Sequence, residues 1–186
     1  MINVINTTIE GLKVIQNTKI EDHRGVFSRL FCEKEFSDIL KGRRIVQINH
    51  SLTNKIGAVR GMHFQLPPNA EMKIIRCLRG RVLDIALDLR SDSLTFLKYH
   101  TEILSAENCK SLVIPEGFAH GFQVLEESSE LMYFHTANYA KNSESGIRLT
   151  DPRISLKLPL DISEISERDL NHPLISCDWK GIKIEN

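Results

Sequence analysis

The sequence predicts an all-β protein, a mostly antiparallel sandwich or barrel with a few short helices. Short β-branched and aliphatic runs recur at a spacing of about ten residues, with turn residues between them. Helical periodicity is scarce. The chain has 186 residues, 41% hydrophobic and 26% charged, which suits one domain, residues 1–186, with a real core.

The expected strands, in chain order, are Arg44-Ile-Val-Gln-Ile-Asn49, Lys73-Ile-Ile-Arg-Cys-Leu78, Arg81-Val-Leu-Asp-Ile-Ala-Leu-Asp-Leu89, Ser111-Leu-Val-Ile-Pro115, Gly121-Phe-Gln-Val-Leu125 and Glu130-Leu-Met-Tyr-Phe-His135. In the third, the two-residue period of a strand puts Asp84, Ala86 and Asp88 on one face and Leu83, Ile85 and Leu87 on the other. One face is expected to be apolar and the other wet. The best helix is Glu33-Lys-Glu-Phe-Ser-Asp-Ile-Leu40, with Phe36, Ile39 and Leu40 at helical spacing and Gly42 as its stop. A second short helical turn is expected to start at Ser166, with Glu167 and Asp169 early in it.

Lys plus Arg and Asp plus Glu both number 24, so no global field draws the chain to nucleic acid or an anionic membrane. The first ten residues lack a basic segment followed by an apolar one, and no apolar run is long enough to span a bilayer. A cytoplasmic protein is expected. Cys32, Cys77, Cys109 and Cys177 are far apart, with no CxxC pair, and are read as reduced thiols, several of them buried.

Gly57-Ala-Val-Arg-Gly-Met-His63 and Pro115-Glu-Gly-Phe-Ala-His120 resemble the two halves of a cupin barrel, a small β-jelly roll. Metal-binding cupins add a second histidine and a glutamate to the first stretch. Here Phe64-Gln65 follows His63, no glutamate comes before Glu71, and Val124 takes the place of the last motif's asparagine. Two histidines are a poor ligand set for a divalent ion. No metal and no cofactor are expected.

A longer ordered series is more specific. It comprises Asp22-His-Arg-Gly-Val-Phe27, Gln47-Ile-Asn-His-Ser51, Arg60-Gly-Met-His-Phe-Gln65, Lys73, Asp88-Leu-Arg90, Ser93-Leu-Thr95, Ile114-Pro-Glu-Gly-Phe-Ala-His-Gly-Phe122, Tyr133, Tyr139, Asp151-Pro152 and Ser166-Glu-Arg-Asp169. Together they resemble the dTDP-4-dehydrorhamnose 3,5-epimerase family over nearly the whole chain. The resemblance implies a metal-free cupin-type jelly roll, a homodimer, and a nucleotide-linked 4-keto-6-deoxy sugar as substrate.

The chemistry of such a substrate sets three roles. A ketone at C4 acidifies the hydrogens on C3 and C5, because loss of either gives an enolate delocalised onto the C4 oxygen. Inversion then needs a base on one face, a proton donor on the other, and a cation or donor at the enolate oxygen. The resemblance assigns His63 as base, Tyr133 as the opposing acid and Lys73 near the oxyanion, with Asp169 orienting His63. An imidazole suits proton exchange at neutral pH, and a carboxylate on its other nitrogen fixes the tautomer. Asp84 either pairs with a pocket histidine or is solvated. His50, His100, His135 and His172 are read as structural or surface residues.

The resemblance also places Arg24, Gln47, Asn49, Arg60, His120, Glu144 and Arg168 around the nucleotide, with Tyr139 stacking on its base. Arginine suits the diphosphate because its fork of donors matches phosphate oxygens. Arg168 replaces the family's more usual lysine. In Arg24-Gly-Val-Phe-Ser-Arg29, Arg29 stands where relatives carry a glutamate. Two readings of this charge reversal stand side by side: an altered base preference, with CDP the first alternative, or an Arg29 that turns to solvent or the diphosphate and leaves dTDP as the carrier. The aromatic residue usual before the later proline is also absent from Lys157-Leu-Pro159.

Overall fold

The computed structural model describes residues 2–184. With strands numbered in chain order, six form one antiparallel sheet. Their spatial order is β1 (Ile2–Asn6), β2 (Lys13–Asn17), β10 (Lys110–Ile114), β7 (Lys73–Arg79), β12 (Ser129–His135) and β5 (Gln47–Thr53). Five more form a second sheet, in the order β13 (Glu144–Gly146), β6 (Val59–Gln65), β11 (Phe118–Val124), β8 (Arg81–Asp88) and β9 (Tyr99–Ser105). A separate hairpin pairs β3 (Lys19–Asp22) with β4 (Gly25–Ser28). This is the expected jelly roll.

Three apolar layers hold it together. Between the sheets, Val14, Ile75, Leu112 and Leu131 of the first meet Val82, Ala86, Phe118 and Phe122 of the second. The outer face of the six-stranded sheet presents Ile15, Ile74, Val113 and Phe134, and helix α1 (Glu33–Leu40) covers it with Phe36, Ile39 and Leu40. The outer face of the five-stranded sheet presents Met62, Phe64, Ile85 and Leu87, and the C-terminal third covers it with Ile147, Leu149, Ile154 and Ile182. Each fully buried aliphatic side chain here stabilises the fold by about 2 kcal/mol.

This double covering corrects the expectation of a wet face on β8. Ala86 lies in the inter-sheet core, and Asp84 and Asp88 are fully buried. A buried carboxylate needs partners. Asp84 finds His120, and Asp88 finds Arg90, Ser93 and Thr95. The sequence motif through Asp88, Arg90, Ser93 and Thr95 is therefore a structural cluster that ties down the loop after β8.

The helix boundaries follow the sequence closely. Helix α1 ends with Lys41 in the left-handed region, one residue before the expected Gly42. Ser166 caps α2 (Glu167–Leu170) by accepting the backbone N–H of Asp169. Two strands are displaced from expectation: β5 starts at Gln47 and not Arg44, and β11 starts at Phe118 and not Gly121. Cys77 and Cys109 are buried, Cys32 is half-buried and Cys177 is exposed, all as free thiols.

Cross-strand rows on the inner face of the six-stranded sheet carry the transition from core to site. One row runs Val14, Leu112, Ile75, Tyr133, Asn49, and the next runs Ile114, Lys73, His135, Gln47. Each begins apolar at the inner strands and turns polar towards β12 and β5.

Candidate active site

Where those rows turn polar, a cleft of about 840 Å³ opens between the sheets. Its walls include Gln47, Asn49, Lys73, Tyr133 and His135 from the first sheet and Arg60, His63 and His120 from the second. Tyr139, Glu144, Arg168 and Asp169 complete it.

His63 and His120 are direct cross-strand partners on β6 and β11. The two strands approach closely at Gly61, whose φ is +113° and where a Cβ would lie 2.6 Å from the Cα of Gly121. Only glycine fits. The Gly61 N–H donates to Oδ2 of Asp169 at 3.0 Å, while Oδ1 of Asp169 lies 2.7 Å from Nε2 of His63. Burial raises the Asp169 pKa, but hydrogen bonds from His63 and Gly61 and the charge of His63 outweigh it and bring the value down to about 2. Asp169 is thus an anion at neutral pH. It holds the hydrogen on Nε2 of His63 and leaves Nδ1 as the nitrogen able to take a proton. Nη2 of Arg168 also lies 3.0 Å from Nε2. A guanidinium only donates, so the Nε2 hydrogen goes to the nearer, anionic Asp169, and Arg168 acts there as a neighbouring positive charge.

Nζ of Lys73 lies 3.0 Å from Oε1 of Glu71 and 3.4 Å from the carbonyl oxygen of His63. The Tyr133 hydroxyl pairs with Oγ of Ser51 at 2.9 Å, and its ring meets His120 edge-on at 6.0 Å. Partial burial holds the Tyr133 pKa well above its ordinary value, which keeps the phenol protonated. Nε2 of His120 lies 2.8 Å from Oδ1 of Asp84, the pairing that the sequence left open. Burial raises the Asp84 pKa, opposed by the charge and hydrogen bond of His120.

At the more exposed side, Gln47 accepts the backbone N–H of Tyr139 and Arg60 donates to Oγ1 of Thr53. The Tyr139 hydroxyl donates to Glu144 at 2.8 Å, and Arg168 pairs with the same carboxylate at 3.0 Å. A cleft that combines a His–Asp pair, a protonated tyrosine, a lysine and two arginines is suited to moving protons on an anionic, oxygen-rich substrate.

The sequence model of the dTDP-4-dehydrorhamnose 3,5-epimerase family matches residues 6–176. The chain belongs to that family. The enzyme of that name from Shigella flexneri is 42% identical over 171 residues, covering 91% of this chain and 93% of the relative. A crystal structure of dTDP-6-deoxy-D-glucose-3,5-epimerase from Legionella pneumophila, in complex with dTDP-4-keto-L-rhamnose, superposes with a TM-score of 0.91 at 34% identity and covers both chains fully. The dTDP-4-dehydrorhamnose 3,5-epimerase from Elizabethkingia anophelis superposes with a TM-score of 0.87 at 36% identity, covering 93% of this chain and 96% of that one.

Of the residues the sequence singled out in this epimerase-family chain, eleven share the cleft: His63, Lys73, Tyr133, Asp169, Gln47, Asn49, Arg60, His120, Tyr139, Glu144 and Arg168. Arg24 and Arg29 do not reach it within one chain. Arg24 is exposed on the β3–β4 hairpin and pairs with Asp22, and Arg29 pairs with Glu35 of α1 at 3.0 Å. Four residues near the dyad or in the cleft were missed. Glu71, Ser51 and His135 line the cleft, and the His172 ring packs edge-on to His63 at 5.7 Å. The period-two rule carries the missing signal for His135, which shares a strand face with Tyr133.

Among the described residues, the possible metal ligands are His63, Asp169 and His172, whose ligand atoms lie within 4.8 Å of one another. Arg168 stands 3.0 Å from His63 Nε2 and 3.6 Å from Asp169 Oδ1, so a fixed cation already occupies the electrostatic position of a metal ion. The trio fits a metal poorly.

Proposed function

We propose that the protein is an isomerase that inverts C3 and C5 of dTDP-4-dehydro-6-deoxyglucose in deoxysugar synthesis of the rhamnose type. The observation that carries this reading is the opening of the His63–Asp169 dyad, Tyr133 and Lys73 onto one cleft. His63 takes the proton from the carbon beside the ketone through Nδ1, and the C–H electron pair moves onto the C4 oxygen. Asp169 stabilises the imidazolium so formed. The Lys73 ammonium faces the negative charge that develops on oxygen. Tyr133 delivers a proton to the opposite face of the carbon, the enolate collapses to the ketone, and exchange with solvent resets both groups. The same pair serves C3 and C5 in turn.

Arg60 and Arg168 supply positive charge and donors for the diphosphate, with His120 beside them, and the exposed Tyr139 ring is placed to stack on the base. We take dTDP as the carrier. The relatives named above act on dTDP-linked sugars, and Arg29 turns to Glu35 of α1 within its own chain.

A homodimer fits the remaining features. The hairpin exposes Ile20, Val26 and Phe27, the last at 66%, and the edge strand β5 exposes Ile48 and Leu52. A hairpin laid across a partner would bury this surface and bring Arg24 to the partner's nucleotide. A cytoplasmic location agrees with the free thiols, and among the described residues no helix is long and apolar enough to cross a membrane.

The test is proton NMR of dTDP-4-dehydro-6-deoxyglucose with the protein in D2O. Deuterium entering at C3 and C5 with formation of the L-sugar is expected. Failure of both carbons to exchange would refute the assignment.

A further inference from the structure

A chain of hydrogen bonds crosses the floor of the cleft through two residues with no role in the mechanism above. The backbone N–H of Tyr139 donates to Oε1 of Gln47 at 2.9 Å, and Nε2 of Gln47 donates to Oδ1 of Asn49 at 3.1 Å. Nδ2 of Asn49 lies 3.3 Å from Nε2 of His135, and Nδ1 of His135 lies 2.9 Å from Oε2 of Glu71. The other oxygen of Glu71 takes Lys73 at 3.0 Å. The Glu71 and His135 side chains are 7% and 10% exposed, so water cannot replace their partners cheaply.

The direction of this chain can be derived from either end. A backbone N–H only donates, so Gln47 must turn its oxygen to Tyr139 and its NH2 to Asn49. At the other end a carboxylate only accepts. Burial raises the Glu71 pKa, but the His135 hydrogen bond and the Lys73 charge outweigh it and leave the group below its usual value, hence ionised. His135 must then carry its hydrogen on Nδ1 and accept on Nε2, which demands the NH2 of Asn49. Both ends of the chain impose one arrangement. In it, Gln47 and Asn49 use their oxygens within the protein and each keeps one N–H for the cleft.

We infer that the buried Glu71–His135 pair is a positioning device that fixes Gln47 and Asn49 as hydrogen-bond donors to substrate oxygens. The inference rests on reading the cleft as a nucleotide-sugar site. It makes this wall selective for acceptor-rich groups, the diphosphate and sugar oxygens. Reversing one member propagates: an amide at position 71 that keeps its oxygen on Lys73 turns its NH2 to His135, and the His135 tautomer, Asn49 and Gln47 would then flip until the Tyr139 N–H faces another donor.

The experiment measures dTDP binding by calorimetry, together with KM and kcat for the 4-keto sugar, in wild type, Glu71→Gln, His135→Phe, Asn49→Ala and Asn49→Asp. His135→Phe keeps an aromatic ring at the position that stacks on Tyr133 at 6.2 Å and removes both hydrogen-bonding nitrogens. It should raise Kd and KM by about tenfold, the usual effect of one lost charge-assisted or buried hydrogen bond, with kcat little changed. Glu71→Gln should weaken dTDP binding likewise. Asn49→Asp, on an exposed side chain, should bind more weakly than Asn49→Ala, because it replaces a donor by an anion. Wild-type affinity in folded His135→Phe, or Asn49→Asp binding as well as Asn49→Ala, would overturn the inference while wild type stays active. A wild type that neither binds dTDP nor turns over would instead overturn the function proposed above.

Discussion

Nε2 of His63 lies 2.7 Å from Oδ1 of Asp169, whose second oxygen is held by the backbone N–H of Gly61. Residues more than a hundred positions apart are joined because Ser166 caps the short helix that carries Asp169, and because Gly61 lets β6 press against β11. The carboxylate is aimed before any substrate arrives, and preorganisation of this kind lowers the barrier to proton transfer.

Asp169→Asn is expected to fold and to slow exchange strongly, since an amide cannot support the imidazolium. The depressed pKa also sets an acid limb for stability. With a folded value of about 2 against 3.8 for the free group, the contribution of Asp169 is fully present above pH 3.8 and is lost as pH falls towards 2. Thermal unfolding followed across that window should show a steeper loss in wild type than in Asp169→Asn. Parallel curves would remove Asp169 from the charge pairing.

Tyr133→Phe should separate the half-reactions. His63 can still remove and return a proton on its own face, so deuterium enters with retained configuration while little epimer accumulates. The phenol's raised pKa keeps it a donor at neutral pH, so the wild-type step should not fade as pH rises through 8 and 9. Normal epimer yield from the variant would move the acid role to Tyr139.

Activity should survive EDTA. Arg168 places its guanidinium beside both His63 and Asp169, and a divalent ion would have to displace it. Loss of turnover on chelation, restored by zinc, iron or manganese, would contradict the metal-free account.

The architecture was legible where pattern and chemistry agree. The β-branched and aliphatic runs of β12 and β7, the 3/4 spacing of Phe36, Ile39 and Leu40, and the Ser166 cap each point to the element that forms. The burial of the β8 face with Asp84 and Asp88 was not legible, because strand periodicity separates two faces but does not say that the six-stranded sheet packs over the polar one. The roles of Glu71 and His135 were hidden for a similar reason: Glu71 acquires meaning from His135 on β12 and Lys73 on β7, and His135 from Asn49 on β5, neighbours that only sheet pairing brings together. Arg29 pairs with Glu35 on the adjoining helix, a contact between neighbouring elements that the sequence motif does not show.

Phe27→Ser should weaken self-association if the hairpin lies across a partner, because it removes a large exposed ring from that surface. Sedimentation velocity at micromolar concentration is expected to show a dimer for wild type and a shift towards monomer for the variant. Identical profiles would place any dimer contact elsewhere.

One base, His63, serves both carbons, and deuterium wash-in from D2O at C3 and C5 of dTDP-4-dehydro-6-deoxyglucose by His63→Ala is the measurement that tests it. Both rates should fall together by roughly 10² to 10⁴-fold, the range for loss of a general base. Exchange at either carbon near the wild-type rate would mean that a group other than His63 is the base there.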